Sequence, residues 1–261
     1  TAGRDERMKY ARYEAHGEIA YGVVEGDSVK QITAAPFEDH AVTDHTHALS
    51  EVTLLAPVVP GKIVAIGLNY KSHLGDREPP KVPEPFFKTA SALIGPDDPI
   101  VIPREAIEEG VHVQPEAEFS VVIGKRCKRV SRADALSYVL GYTCGNDVSA
   151  RDWQRNDLQW WRAKSSDTFA PIGPFIVSDL DPGNVRLIGR INGKITQEQS
   201  TSDLVYDVPR IIEFVSSVLT LEPGDVIMTG TPGSPGDIHP GDTVEVEVEG
   251  VGVLRNPVTA E

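Results

Sequence analysis

Apolar and polar residues alternate through the first part of the chain, as they do in strands that bury one face. The alternation runs from Lys9 to Ile32 and is interrupted at His16-Gly17 and at Glu25-Gly26-Asp27, residue types that favour hairpin turns. We therefore predict a small antiparallel meander. Residues 34–56 lose the alternation and end in proline-punctuated sequence, which predicts a linker.

The remainder of the chain has a similar β-rich pattern. The apolar runs KIVAIGL (62–68) and FSVVIG (119–124) predict buried strands, and DTVEVEVEGVGVLRNPV (242–258) predicts a hairpin with one solvent-facing side. Asn192-Gly193 predicts a type I′ turn. The sequence thus predicts a mainly β (α+β) chain in two parts, a small N-terminal β domain with its linker at 8–57 and a larger domain at 58–261.

Two segments carry helix signals. Ser131, followed three residues later by Asp134, has the form of a capping box and predicts a helix over 131–139. Asp207, with Pro209 in the first turn, predicts a second helix, whose buried side would be formed by Ile211, Ile212, Phe214, Val215, Val218 and Leu219.

Composition limits the possible functions. The formal net charge is −14 and the pI is about 4.9, so a nucleic-acid groove, which needs clustered lysine and arginine, is not expected. Cys127 and Cys144 lack the spacing of a zinc finger or a disulfide framework, which suits a reducing cytoplasm. No apolar stretch approaches the ~20 residues of a membrane helix, and residues 1–7 are expected to be either the remnant of an expression tag or a disordered leader. We therefore expect a soluble, cytoplasmic protein without a membrane partner.

The segment VQPEAEFSVVIGK (113–125) places two carboxylates in front of an apolar run. Glu116 and Glu118 would share one face of a strand, and a buried pair of like charges needs a cation or a shared proton. Two solvated glutamates are the alternative. A helical crossover followed by the strand GYTCGN would bring Asp147 to a neighbouring strand end. Three such carboxylates form the oxygen-rich site that Mg²⁺ or Mn²⁺ prefers, and Lys164 near them would lower their mutual repulsion.

Two loops carry further candidate chemistry. Residues 71–85 form a polar, proline-rich segment without periodicity, which in a compact domain is either disordered or a functional lid; it is named the lid segment below. The glycine-rich stretch TGTPGSPG (229–236) lacks the Gly-Lys-Ser/Thr of a P-loop, so nucleotide binding is not expected. Its closely spaced backbone N–H groups can still hold a carboxylate oxygen.

Six separated segments, taken in order, resemble the fumarylacetoacetate hydrolase family: GLNYKSH, PFFKTAS, PEAEFSVVIGK, GYTCGNDVSARDWQ, AKSSDTFAPIGP and TGTPGSPG. The resemblance covers roughly residue 57 to the end of the chain. It implies mixed β-sheets rolled into a flattened barrel, a smaller N-terminal β domain, a homodimer, and Mg²⁺ or Mn²⁺ as cofactor.

The resemblance also implies roles for individual residues. Metal ligands match Glu116, Glu118 and Asp147, the lysine beside the metal matches Lys164, and the catalytic base on the lid segment matches His73. Positions that contact the acid and oxo groups of the substrate match Lys88, Arg151, Gln154 and Thr231.

The lid segment departs from the family pattern at one position. Many hydrolytic relatives have a glutamate three residues after the histidine, and this chain has Asp76 there. We therefore expect Asp76, or Glu78, to orient the imidazole of His73.

The resemblance implies hydrolysis of a carbon–carbon bond in an acylpyruvate-type 2,4-dioxo acid, such as a fumarylacetoacetate-like or fumarylpyruvate-like compound. Isomerisation of a 2-hydroxyhepta-2,4-diene-1,7-dioate and decarboxylation of oxaloacetate are alternatives, because each passes through an enolate that the same site would stabilise. From other classes, the chain could be a metal-binding or ligand-binding module, or a structural β domain with solvated glutamates. The expected partner is a small anionic oxo acid.

Overall fold

The N-terminal part of the chain forms strands almost throughout. The computed structural model describes residues 7–261, so the expected leader lies almost entirely outside the described residues. The predicted meander is present, with turns at residues 16–17 and 26–27. The strands of this part are β1 (Lys9–Ala15), β2 (Glu18–Glu25), β3 (Ser28–Ile32), β4 (Val42–Ala48) and β5 (Thr53–Leu55).

The rest of the chain is also dominated by strands, and the mainly β fold class predicted from the sequence is confirmed. These strands are β6 (Ile63–Gly67), β7 (Glu84–Lys88), β8 (Leu93–Ile94), β9 (Ile100–Ile102), β10 (Val113–Gln114), β11 (Ala117–Ile123), β12 (Val139–Asn146), β13 (Ser149–Ala150), β14 (Ala170–Val177), β15 (Arg186–Ile191), β16 (Lys194–Ser200), β17 (Val226–Met228), β18 (Thr243–Val248) and β19 (Gly252–Ala260).

Helices are few and mostly short. The α-helices are α1 (Lys71–Leu74), α2 (Arg104–Glu108), α3 (Arg151–Asn156), α4 (Trp161–Ser165) and α5 (Val208–Val218), and single 3₁₀ turns cover Leu49–Glu51, Ala90–Ala92, Ala135–Tyr138 and Thr201–Asp203. No helix within residues 7–261 is long and apolar enough to cross a membrane.

The strands form one large and one smaller mixed sheet. The large sheet has the order β4-β3-β2-β1-β14-β12-β11-β17-β6-β7, with β5 on β1 and β8 on β14. The small sheet has the order β16-β15-β18-β19-β9, and β10 pairs with β13. Strand β1 pairs with β14 through Lys9↔Val177 and Tyr10↔Ile176, so the large sheet continues across the predicted domain boundary.

Strand β11 lies near the middle of the large sheet and is buried along its whole length. On one face Phe119, Val121 and Ile123 join a core that includes residues of α5 and of the small sheet. On the other face Val122 packs with residues of β6 and β14. A side chain on either face of β11 is therefore out of water, which matters for the polar residues at its start.

Three local predictions need correction. Residues 34–56 are not a plain linker, because β4 and β5 lie within them; β4 is an edge strand with mostly exposed side chains, so it has no apolar period to detect. The helix over 131–139 is only a 3₁₀ turn at Ala135–Tyr138. The strands on either side of that turn, β11 and β12, pair antiparallel and need no helical crossover. Val218 was expected on the buried side of the second helix but is 83% exposed. It is the last residue of α5.

Other local predictions are confirmed. Asn192 and Gly193 both have positive φ, 52° and 77°, as the predicted type I′ turn requires. Asp207 caps α5 by accepting a hydrogen bond from the backbone N–H of Arg210. Strands β18 and β19 form the predicted hairpin.

Candidate metal centre

Three carboxylates meet where β11 begins and β12 ends. Glu116 precedes β11, Glu118 is its second residue, and Asp147 follows β12. The antiparallel register pairs the start of β11 with the end of β12, and the backbone N–H of Asp147 donates to the carbonyl of Glu116 at 3.0 Å. Ligand oxygens of all three side chains lie within 4.8 Å of one another, and all three residues are buried. The alternative of solvated glutamates is therefore excluded.

Two buried lysines hold part of this cluster. The Nζ of Lys164, on α4, lies 2.8 Å from Glu116 Oε2, 2.7 Å from Asp147 Oδ2 and 2.6 Å from Ser149 Oγ. The Nζ of Lys88 lies 2.5 Å from Asp147 Oδ1. Burial alone would lower the pKa of Lys164, but the charges of Asp147 and Glu116 outweigh burial and raise it. At neutral pH Lys164 is therefore expected to be a cation at the edge of the cluster.

Glu116 and Glu118 have opposite environments. Burial would raise the pKa of Glu116, but the charges of Lys164 and Arg151 lower it well below its usual range. Among residues 7–261, no side-chain cation forms a salt bridge with Glu118. Burial, and then the charges of Asp147 and Glu116, raise the pKa of Glu118. The negative charge of the cluster is thus least compensated at Glu118.

A backbone N–H from the glycine-rich stretch contacts Glu118 instead of a cation. The N–H of Gly230 donates to Glu118 Oε2 at 2.7 Å, as the sequence predicted for a carboxylate oxygen. Gly230 has φ +113°, and a Cβ there would lie 2.8 Å from the Cβ of Asn69, so the backbone can approach Glu118 only with glycine at this position.

The carboxylate cluster fits a hard divalent cation. Mg²⁺ and Mn²⁺ prefer oxygen ligands, and three carboxylates with one uncompensated charge supply them. The residues that would hold the cation are Glu116, Glu118 and Asp147, the three that the sequence analysis had identified.

His73 lies on α1 at the start of the lid segment and faces the cluster. Its Nε2 is 3.8 Å from Glu116 Oε1, and its Nδ1 is 2.6 Å from the backbone carbonyl of Gly233. A carbonyl can only accept, so the proton of this hydrogen bond is on Nδ1. In the neutral imidazole the lone pair would then be on Nε2, the nitrogen that faces the carboxylates.

The expected partnership of His73 with Asp76 or Glu78 is not formed in this structure. Helix α1 ends at Leu74, and Gly75, with φ 61°, turns the chain outward, so that Asp76 and Glu78 are both exposed. In the described part of the chain, the hydrogen-bond partner of the imidazole is the carbonyl of Gly233.

Of the four predicted substrate-binding residues, two line the pocket, one contacts a carboxylate of the cluster and one is fully buried. Arg151 donates to Glu116 Oε1 at 2.6 Å and to Gln154 Oε1 at 3.0 Å, and Gln154 lines the pocket beside the cluster. Thr231 also lines the pocket. Lys88 is fully buried and contacts Asp147 and the carbonyl of Val148, so it supports a carboxylate instead of facing open space.

The pocket beside the cluster is small. Its cavity volume is about 40 Å³, enough for a few water molecules. Phe86 and Trp160 line it and pack edge to face at 5.2 Å between ring centroids. Nothing in the sequence singles out Phe86, because no spacing links it to the carboxylates. The other lining residues are Ile66, Gly67, Leu68, His73, Glu116, Glu118, Asp147, Gln154, Lys164 and Thr231.

Comparison with known families identifies two segments. Residues 62–259 match the family described as fumarylacetoacetate (FAA) hydrolase C-terminal. Residues 8–57 match the family described as Rv2993c-like, N-terminal.

Three related proteins illustrate the range of activities in similar chains. The crystal structure of 5-carboxymethyl-2-hydroxymuconate delta-isomerase from Mycobacterium smegmatis is 45% identical, with a TM-score of 0.91 over 97% of this chain and 100% of that one. The mitochondrial oxaloacetate tautomerase FAHD2A of Bos taurus is 44% identical over 80% of this chain and 70% of its own length. The maleylpyruvate hydrolase from Sphingobium sp. SYK-6, solved with manganese(II) and pyruvate, is 32% identical, with a TM-score of 0.80 over 97% of this chain and 99% of that one.

Proposed function

The chain belongs to the fumarylacetoacetate hydrolase family, and from that premise we propose that it is a divalent-cation-dependent enzyme that forms the enolate of a small 2-oxo acid. One observation carries the proposal: three buried carboxylates converge while Glu118 has no cationic partner among residues 7–261. A purely structural cluster would be expected to pair each buried charge. Mg²⁺ or Mn²⁺ at this cluster would supply a Lewis acid for negative charge that develops on the substrate's oxo oxygen.

Lys164 and Arg151 provide fixed positive charge next to the carboxylates. The ammonium of Lys164 and the guanidinium of Arg151 both contact Glu116, and both are available to attract an anionic substrate. Gln154, which is hydrogen-bonded to Arg151, would help to orient the bound acid. With a divalent cation bound at the carboxylates, the pocket would favour a small anion over a neutral ligand.

His73 would move the proton. In its neutral form the imidazole would have its lone pair on Nε2, which faces the cluster, so it could take a proton from the carbon next to the oxo group and return one to another position. Transfer of a proton within one substrate requires a single base and no activated water. We therefore propose keto–enol tautomerisation or double-bond isomerisation of a 2-oxo acid as the specific reaction.

Carbon–carbon hydrolysis of an acylpyruvate is the second candidate. It passes through the same enolate, and likeness to the maleylpyruvate hydrolase supports it. It also requires His73 to activate a water molecule, a task in which a neighbouring carboxylate assists by stabilising the imidazolium. No carboxylate partner of Nδ1 is present in the arrangement of the described residues, which is why hydrolysis ranks second.

The test is a substrate panel with metal-stripped protein. Enol-oxaloacetate, a 2-hydroxydienedioate and a series of acylpyruvates would be followed by their enol absorbance, with and without Mg²⁺ or Mn²⁺. We expect cation-dependent interconversion of enol and keto forms. Cation-dependent release of pyruvate from an acylpyruvate would select hydrolysis instead, and turnover that a chelator leaves unchanged would refute a role for the cation in either reaction.

A further inference from the structure

The backbone between the two glutamate ligands lacks a neighbouring strand on one side. Strand β17 borders β11, but their pairing ends with Met228 opposite Ser120. Ala117, which lies between Glu116 and Glu118, is therefore beyond the reach of β17. Its N–H and C=O must find other partners, because buried backbone groups without hydrogen bonds are costly.

The side chain of Gln197, from β16 of the small sheet, supplies the missing partner. Its Oε1 accepts from the N–H of Ala117 at 3.0 Å, and its Nε2 donates to Thr231 Oγ1 and to the carbonyl of Pro232, both at 2.7 Å. Thr231 Oγ1 in turn donates to the carbonyl of Ala117 at 2.9 Å. These contacts close a ring of hydrogen bonds, and Gln197 is only 4% exposed.

The same ring of hydrogen bonds adjoins the residue that binds the imidazole of His73. Pro232 is followed by Gly233, whose carbonyl binds His73 Nδ1 and whose N–H donates to Ser72 Oγ at 3.0 Å. Gln197 is therefore hydrogen-bonded to the residue directly before the one whose carbonyl holds the imidazole. No other side chain within residues 7–261 hydrogen-bonds both to Ala117 and to Pro232.

A second glutamine on β16 binds the lid segment. Gln199 is two residues from Gln197, so the two side chains leave the strand on the same face. Its Oε1 accepts from Ser72 Oγ at 2.5 Å. One face of β16 thus contacts both the strand of the metal ligands and the helix that carries His73.

We propose that Gln197 is a positioning residue, which fixes the Glu116–Glu118 backbone relative to the turn that orients His73. The inference rests on the proposed function, because it assumes that the carboxylates bind a divalent cation. It assigns one amide two effects: cation affinity, through Ala117, and the orientation of the imidazole, through Pro232 and Gly233.

Cation affinity tests the first effect. Mn²⁺ binding to metal-stripped protein would be measured by titration calorimetry for the natural chain and for Gln197→Met, which keeps the length of the side chain and removes both polar atoms. We expect affinity to fall about 10–100-fold, as it does when groups that orient metal ligands are lost. The matched control is Glu198→Gln, on the opposite face of the same strand, where the side chain is exposed and bound to Arg186; its Mn²⁺ affinity should equal that of the natural chain.

The tautomer of His73 tests the second effect without any metal. Side-chain ¹⁵N spectra of the histidines should show the Nδ1–H form for His73 in the natural chain and a mixture of tautomers in Gln197→Met. A variant that loses thermal stability but keeps both the Mn²⁺ affinity and the Nδ1–H tautomer would overturn the inference, because Gln197 would then be only structural. A natural chain that does not bind Mn²⁺ would overturn the proposed function itself.

Thr231→Val offers an independent test if Gln197→Met does not fold. It removes the hydroxyl that links Gln197 to the carbonyl of Ala117 and preserves the shape of the side chain. We expect weaker Mn²⁺ binding, and less-than-additive effects when both substitutions are combined, since both break one ring. Unchanged affinity in Thr231→Val would contradict the inference.

Discussion

Replacing Lys164 by methionine should destabilise the metal-free protein far more than the metal-loaded protein. The ammonium of Lys164 contacts the two carboxylates of Glu116 and Asp147 and the hydroxyl of Ser149, and its side chain is only 3% exposed. Its loss leaves two buried negative charges without this partner. Removal of one member of a buried ion pair costs about 3–5 kcal/mol. For a chain of this size the melting temperature should fall by roughly 6–20 °C.

A divalent cation should reverse much of that loss, because it would neutralise the same carboxylates. In the natural chain, Mn²⁺ at about one hundred times its dissociation constant should stabilise the fold by about 2.7 kcal/mol. At the same Mn²⁺ concentration, the rise in melting temperature should be larger in Lys164→Met than in the natural chain. The reason is that the cation no longer shares its ligands with an ammonium group.

Thermal unfolding of metal-stripped protein, with and without Mn²⁺, measures both effects. The matched control is Lys62→Met, which breaks a different lysine–aspartate pair, with the buried Asp225. That variant should also be destabilised, but its response to Mn²⁺ should equal that of the natural chain. An equal Mn²⁺ response in Lys164→Met and in the natural chain would show that Lys164 and the cation do not share ligands, and would refute the reasoning.

Three further outcomes follow from the site. Glu118→Gln should abolish the Mn²⁺-induced rise in melting temperature while leaving the metal-free protein at least as stable, because it removes a buried charge that has no cationic partner; a preserved rise would exclude Glu118 as a ligand. His73→Ala should lower the rate of proton transfer by about 10²–10⁴-fold, with little change in Mn²⁺ affinity by calorimetry. Any cation-driven decarboxylation of oxaloacetate should persist in this variant. An unchanged rate of proton transfer would remove His73 from the mechanism. Asp76→Asn and Glu78→Gln should each keep kcat within about twofold, because both carboxylates are exposed; a large loss in either would mean that a dyad forms when substrate binds and would restore hydrolysis as the first candidate.

The convergence of the three carboxylates could be predicted from the sequence, because they lie at the facing ends of two successive strands. Glu116 and Glu118 share a face through the two-residue period of a strand, and the apolar run after them predicts burial. Asp147 follows the next strand, and antiparallel pairing brings it back to the same end of β11.

Other parts of the site depend on contacts that no spacing encodes. Gln197 reaches Ala117 across 80 residues of sequence and between two sheets. The exposure of Asp76 depends on the turn at Gly75, whereas the sequence pattern placed a carboxylate beside His73. Strand β4 escaped prediction because an exposed edge strand has no apolar period.

The pairing of β1 with β14 has a consequence for how the chain is made. The N–H of Met8 donates to the hydroxyl of Ser178, a partner 170 residues further along the sequence. During synthesis the N-terminal hairpins contain only local contacts and can form as soon as they emerge from the ribosome, because short loops close quickly. Their docking onto the large sheet must wait until β14 has been translated, after the last of the carboxylates and Lys164. The N-terminal strands are thus synthesised well before β14, and β1 reaches its final neighbour only after β14 has been made.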